Sequence, residues 1–136
     1  MADTDDDWLL FDFRGTGTWP DAWPPVAYRL VDDKRAVFRL IPEAAQGNLM
    51  GFVHGGFLAT LMEHTLFLPI VHRGNPAVTL SLSLDYSAPA QVGEQLDGEI
   101  VVMRETGKLV FVTARLDQNG ETVVYGTGVV RKLPAP

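Results

Sequence analysis

The chain has 136 residues, 46 % hydrophobic and 21 % charged, with a formal net charge of −6. That suits one compact domain, small enough to gain from self-association. The acidic balance argues against nucleic acid and anionic membranes as partners, since both require clustered Lys and Arg, and the absence of Cys excludes disulfides, thiolate nucleophiles and Cys-held metals and fits a reducing, cytoplasmic setting.

The opening "MADTDDDWLL" carries no basic region and no long apolar run, so it does not read as a secretory signal. Residues 1–25 read as an irregular segment packed on a single domain spanning 26–136. Within it, "DTDDD" is a solvated acidic start, and "WLLFDF" is a helical turn or an added strand. The stretch "GTGTWPDAWPP" is broken by Gly and Pro, with Trp19 and Trp23 expected to pack on the main body.

From Val26, "VAYRLVDDKRAVFRLIP" is two apolar-rich runs around Asp32-Asp33-Lys34, a hairpin. After the loop "EAAQGNLMG", the composition predicts a helix from Gly55 to about Leu68, stopped by Pro69. The greasy run Gly55 to Ile70 is interrupted by Glu63, His64 and Pro69, and it is short for a membrane span of roughly 20 residues.

Past "HRGNP", the segment "AVTLSLSLDYSAP" alternates, a half-buried strand with Thr79, Ser81, Ser83 and Asp85 expected on one face and Leu80, Leu82, Leu84 and Tyr86 on the other. "EQLDGEIVVMRE" and "KLVFVTARLD" form a hairpin around Thr106-Gly107. Asn119-Gly120 then turns the chain into "ETVVYGTGVVRKL". Gly98 inside a strand predicts a bulge or a close approach, and "LPAP" a frayed tail. A hairpin, one helix and four antiparallel strands, with no βαβ alternation, predict an α+β fold: a curved antiparallel sheet wrapped round one central helix. A helix apolar almost all round would be covered by that sheet and by a partner.

The stretch "NLMGFVHGGFLATLMEH" concentrates the chemistry. His54, Gly55 and Gly56 stand at the start of the helix, where backbone N–H groups lack internal partners and carry partial positive charge. An oxygen gaining negative charge would be stabilised there, and the Asn48 amide could supply a second donor. The glycines would equally serve close helix–sheet packing. Glu63 falls nine positions after His54, within an apolar segment; desolvation there would make the carboxylate hold a proton more tightly, as a general base requires. An ion pair or a solvated face would account for it equally. No metal-ligand spacing, nucleophile elbow or phosphate-cradling loop is present, so neither a metal nor a cofactor is expected.

The pattern Asn48-x-x-Gly51-x-x-His54-Gly55-Gly56 followed by Glu63 resembles the hotdog-fold acyl-CoA thioesterases of the PaaI-like branch, the phenylacetate-degradation type. "VTLSLSLDYSAPAQVGE" and "RETGKLVFVTARLDQNGETVVYGTG" fit the same pattern, and the likeness runs from about Ala44 to Lys132. The resemblance implies a hotdog fold, a homodimer or homotetramer, and two active sites at each dimer interface. The Gly55 N–H and the Asn48 side chain would polarise the thioester carbonyl, with His54 holding that oxygen or its loop and Gly56 beside the substrate. Glu63 from the other subunit would activate water or attack the carbonyl, assisted by Thr79. Coenzyme A would enter as part of the substrate, with Arg104, Lys108 and Arg131 as candidate phosphate contacts, alongside Arg73 and Lys132. A hotdog hydratase or dehydratase and a non-catalytic acyl-CoA binder are the rival readings.

Overall fold

The computed structural model describes residues 7–135, so most of the acidic start lies outside the described residues. Seven strands form one antiparallel sheet: β1 (Leu9–Phe11), β2 (Val26–Asp32), β3 (Arg35–Leu40), β4 (Ala77–Tyr86), β5 (Leu96–Glu105), β6 (Leu109–Gln118) and β7 (Glu121–Lys132). Their order across the sheet is β1-β2-β3-β5-β6-β7-β4. The helix α1 (Gly55–Thr65) packs on one face, giving the expected α+β hotdog arrangement. Among the described residues no helix is long and apolar enough to cross a membrane.

Period two builds the sheet. In β6, Val110, Val112, Ala114 and Leu116 are buried against the helix side, while Phe111, Thr113, Arg115 and Asp117 alternate with them and are more exposed. On α1 the buried positions are Phe57, Leu58, Leu61, Met62 and Thr65, a stripe of helical spacing, and Leu61 and Met62 are fully buried. Each such apolar side chain stabilises the fold by about 1.5–3 kcal/mol. The opposite face of α1 carries Gly56, Thr60 and Glu63 and is left uncovered or half-covered by this chain.

Four expectations need correction. The α-helix ends at Thr65 rather than near Leu68, and the chain runs on as a 3-10 helix over Leu68–Arg73. Pro69 sits in the first turn of that helix, where its missing N–H costs nothing. Trp23 is 5 % exposed and packed, but Trp19 is 81 % exposed and does not join the core. The tail is tied down at its start, where the Leu133 N–H donates to the Pro76 carbonyl.

The fourth concerns β4. Thr79 pairs with Val130 and Ser81 with Val129 of β7, so Leu80 is an extra residue in the ladder. This bulge resets the alternation. Thr79 therefore shares the helix-facing side with Leu82, Leu84 and Tyr86, while Ser83 and Asp85 face the other way. The N-terminal "WLLFDF" resolves as the added strand, since Leu9–Phe11 pairs with β2.

Gly98 marks a close approach. A Cβ there would lie 2.0 Å from the buried Phe38 ring on the neighbouring strand. Gly98→Ala is therefore expected to destabilise the domain by roughly 1–3 kcal/mol through overpacking. A urea titration measures it, and Phe38→Leu in the same chain should return part of the loss. An unchanged midpoint for Gly98→Ala would show that the ring can move aside.

Candidate active site

The site begins in the loop before α1. Gly47 and Val53 bridge, the Asn48 N–H donates to the Phe52 carbonyl, and the His54 N–H donates to the Gln46 carbonyl. A tight hairpin thus delivers the chain to the helix mouth. The Asn48 Oδ1 accepts the N–H groups of Met50 (2.9 Å) and Phe52 (3.2 Å). Both acceptor positions of that oxygen are occupied, so the side-chain NH2 is the part of Asn48 left to meet a ligand.

His54 is the N-cap of α1. Its Nδ1 accepts the Gly56 N–H at 2.9 Å, which places the ring proton on Nε2 in the neutral form. A Cβ on Gly56 would come 3.0 Å from that Nδ1, so the second glycine makes room for the cap. The Gly56 amide is consequently occupied, and of the two glycine amides Gly55's stays open among the described residues. The first turn is held from the sheet as well: the Tyr86 hydroxyl donates to the Gly55 carbonyl at 2.8 Å. Sequence alternation places Tyr86 only on an apolar face; the signal for its role is a hydroxyl-bearing aromatic ending an alternating strand.

Glu63 lies about two turns along α1, and the Thr79 hydroxyl donates to its Oε1 at 2.9 Å. The two line a groove of about 380 Å³ with His64, Phe67, Ala77, Val78 and Val130. Glu63 is exposed in this chain and makes no ion pair with Arg among the described residues, which do not supply the expected desolvation. Glu63 lies eight positions after Gly55 on the helix, a rise of about 12 Å. One thioester carbonyl cannot touch both ends within a single chain.

The basic candidates are dispersed. Arg73 and Lys132 are bound to Glu105 at 2.5 and 2.6 Å and hold its carboxyl down at about 2, Arg73 contributing more. Arg104 lies opposite Phe111 and Arg131 follows buried Val130, so strand alternation turns both away from α1. Lys108 is exposed in the β5–β6 turn. None of these three lines the groove beside Glu63. Among the described residues no group of three or more His, Asp or Glu gathers as a metal would require.

His64, next to Glu63, borders the same groove and packs its ring edge-on against Phe13 (4.7 Å) and Trp23 (5.6 Å). Burial lowers its pKa, with the Glu63 charge pulling weakly upward. Because the folded pKa lies below the unfolded value of about 6.5, the unfolded chain takes up the proton first. Stability is fully present above about pH 6.5 and declines as acid drives the pH down through the folded pKa. Denaturation midpoints measured between pH 8 and 5, chosen above the carboxylate range of about 4, should show that decline, and His64→Phe should flatten it. A decline of equal slope in the variant would assign it to other groups.

One central helix wrapped by an antiparallel sheet, with a capped and glycine-rich helix mouth and an acid two turns on, defines the hotdog class. The chain belongs to the Thioesterase superfamily, whose family pattern matches residues 50–125. It is 32 % identical over 88 residues to acyl-coenzyme A thioesterase 13 of Homo sapiens, a match covering 62 % of this chain and 63 % of that protein. The match thus spans somewhat under two thirds of the relative's length. Among solved structures it is similar to zebra fish thioesterase superfamily member 2 (TM-score 0.77, 23 % identity, covering 90 % of this chain and 91 % of that one). It is also similar to a mutant of the phenylacetic acid degradation protein PaaI from Thermus thermophilus (TM-score 0.72, 25 % identity, covering 85 % and 98 %).

Proposed function

We propose that this chain hydrolyses acyl-CoA thioesters to a free acid and CoA, in a site shared by two copies of itself. The observation that carries the reading is the division of α1: an open Gly55 amide at its mouth and a Thr79-held Glu63 about 12 Å along. A two-fold axis that sets two α1 helices antiparallel across their uncovered faces brings Glu63 of one copy toward the mouth of the other. Such an isologous contact creates two equal sites. The open edge of β4, with exposed Val78 and Leu80, supports pairing of the two sheets along the same axis. The relative named acyl-coenzyme A thioesterase 13 supports the substrate class.

In this reading the thioester carbonyl oxygen accepts hydrogen bonds from the Gly55 N–H and the Asn48 side-chain NH2. Glu63, steadied through Oε1 by Thr79, takes a proton from water with its second oxygen. The water oxygen bonds to the carbonyl carbon, the C=O π pair moves onto the carbonyl oxygen, and that oxygen's new negative charge meets donors already in place. When the tetrahedral intermediate collapses, the carbon–sulfur bond breaks and the thiolate leaves with the proton that Glu63 held. Packing against the second copy would also exclude water from the Glu63 carboxylate, which the single chain does not do.

The test is release of free thiol from a panel of acyl-CoAs, run beside sedimentation of the same sample. Thiol release by a dimer or larger assembly is the expected result. An active monomer would contradict the shared site. Hydration of enoyl-CoA with no thiol release would make the protein a hydratase, and binding of acyl-CoA without either reaction a non-catalytic receptor.

A further inference from the structure

We infer that the cavity at the mouth of α1 receives the acyl group and that Trp19 sets how long an acyl chain it accepts; the inference deepens the thioesterase reading and rests on it for the identity of the ligand. The cavity holds about 520 Å³ in the single chain, and its Gly56 and Thr60 lie on the α1 face that the second copy would adjoin. One end is polar, formed by His54 and Gly56, which flank Gly55 in the chain. The body is apolar, formed by Trp19, Ala22, Trp23 and Phe57. A thioester has the same division: a polarised carbonyl joined to a hydrocarbon.

The cavity's own polar groups favour the acyl arm over the amide-bearing pantetheine arm. Gln46 at the wall accepts the Glu43 N–H with Oε1 and donates through Nε2 to the Ala22 carbonyl. The Thr60 hydroxyl donates to the Gly56 carbonyl. Each of these groups already makes a hydrogen bond within the chain, so the amides of a pantetheine placed here would find fewer partners than in water. A hydrocarbon has nothing to lose.

The two Trp walls differ. Trp23 is fixed, edge-on to the Phe57 ring at 5.1 Å and to His64 at 5.6 Å. Trp19 stands at the rim, 81 % exposed, on a 3-10 turn (Trp19–Ala22) anchored by the Gln46 bond to Ala22 and by Asp21, which accepts the Gly15 and Gly17 N–H groups. An indole held at the rim of an apolar cavity gains contact only with something inside it. Both Trp residues precede residue 50, where the match to the family pattern begins. At about 30 Å³ per water-sized group, the cavity takes at most roughly seventeen non-hydrogen atoms. The ligand class is an uncharged acyl group within that bound, up to about sixteen carbons.

The test uses S-alkyl-CoA thioethers (butyl, octyl, dodecyl and hexadecyl), which cannot be hydrolysed, with binding followed by calorimetry on the intact protein. Wild-type affinity should rise with chain length from butyl upward, by up to about fourfold per methylene, for as long as the chain fits the cavity. Trp19→Ala should weaken octyl and dodecyl binding about tenfold, leave butyl unchanged, and be largely restored by Trp19→Phe. Because Trp19 lies outside the core, the variant should fold. Affinity independent of chain length in the wild type, or an equal loss at every length in Trp19→Ala, would overturn the assignment. Thiol release from the matching acyl-CoAs is read in parallel: length-dependent binding without hydrolysis would remove the thioesterase reading and leave the cavity's ligand class standing.

Discussion

Glu63→Gln is expected to lower thioester turnover by roughly 10²- to 10⁴-fold, the range lost with a positioned general base. The substitution is close to isosteric, and the Gln carbonyl oxygen can still accept the Thr79 hydroxyl that now bonds Oε1. Glu63 is exposed in its own chain, so the fold should change in stability by no more than about 0.5 kcal/mol. The loss should therefore fall on kcat, with thermal unfolding and oligomeric state unchanged. Steady-state thiol release with a melting curve on the same sample measures both. Turnover near wild type would move the base to another residue.

Asn48→Asp is the second large effect. Asn48 has two jobs, and an Ala substitution would mix them. Its Oδ1 holds the Met50 and Phe52 N–H groups, while its NH2 is the part free to meet a carbonyl oxygen. Asp keeps the acceptor and so keeps the hairpin, but it removes the donor and sets a negative charge beside the oxygen that must gain one. The single-turnover rate should fall by about 10²- to 10³-fold, with a smaller change in binding. An unchanged rate would leave the Gly55 amide as the site's donor without Asn48. Mixing the two variants then tests the shared site. If Glu63 of one copy serves the helix mouth of the other, a dimer of one Glu63→Gln and one Asn48→Asp chain carries one intact site and one doubly broken site. After subunit exchange of equal amounts, activity should recover to roughly a quarter of wild type. No recovery would mean that each chain supplies a whole site alone.

Much of the architecture was readable from local pattern. Asn119-Gly120 announced its hairpin because both residues adopt positive φ (52° and 78°), which few other pairs do easily. Gly98 announced a close approach because a glycine inside a strand gives up side-chain packing for some reason, here the Phe38 ring. The helix followed from its apolar richness and its Gly and Pro flanks, and the strands from the alternation of their apolar residues. Less of the candidate site was readable. Thr79 as a site residue came from the resemblance, while strict alternation grouped it with Ser81, Ser83 and Asp85. Tyr86 and Gln46 were not singled out, since their hydrogen bonds run to backbone atoms remote in sequence. The basic residues could not be sorted, because Arg73 and Lys132 meet Glu105 only when three separate segments converge.

By itself, the sequence determined the class of fold, the turns, the helix and the glycine-rich mouth that follows Asn48. These depend on backbone conformation and burial period, which neighbouring residues dictate. Only the tertiary structure decided that the Leu80 bulge turns Thr79 onto Glu63, that His54 occupies the Gly56 amide and leaves Gly55's open, and that Trp19 stands at the rim of a cavity instead of in the core. Each of these depends on which atoms of distant segments arrive within about 3–4 Å of one another. A one-residue slip in a ladder changes that arrival for every side chain beyond it while leaving the pattern of residue types intact.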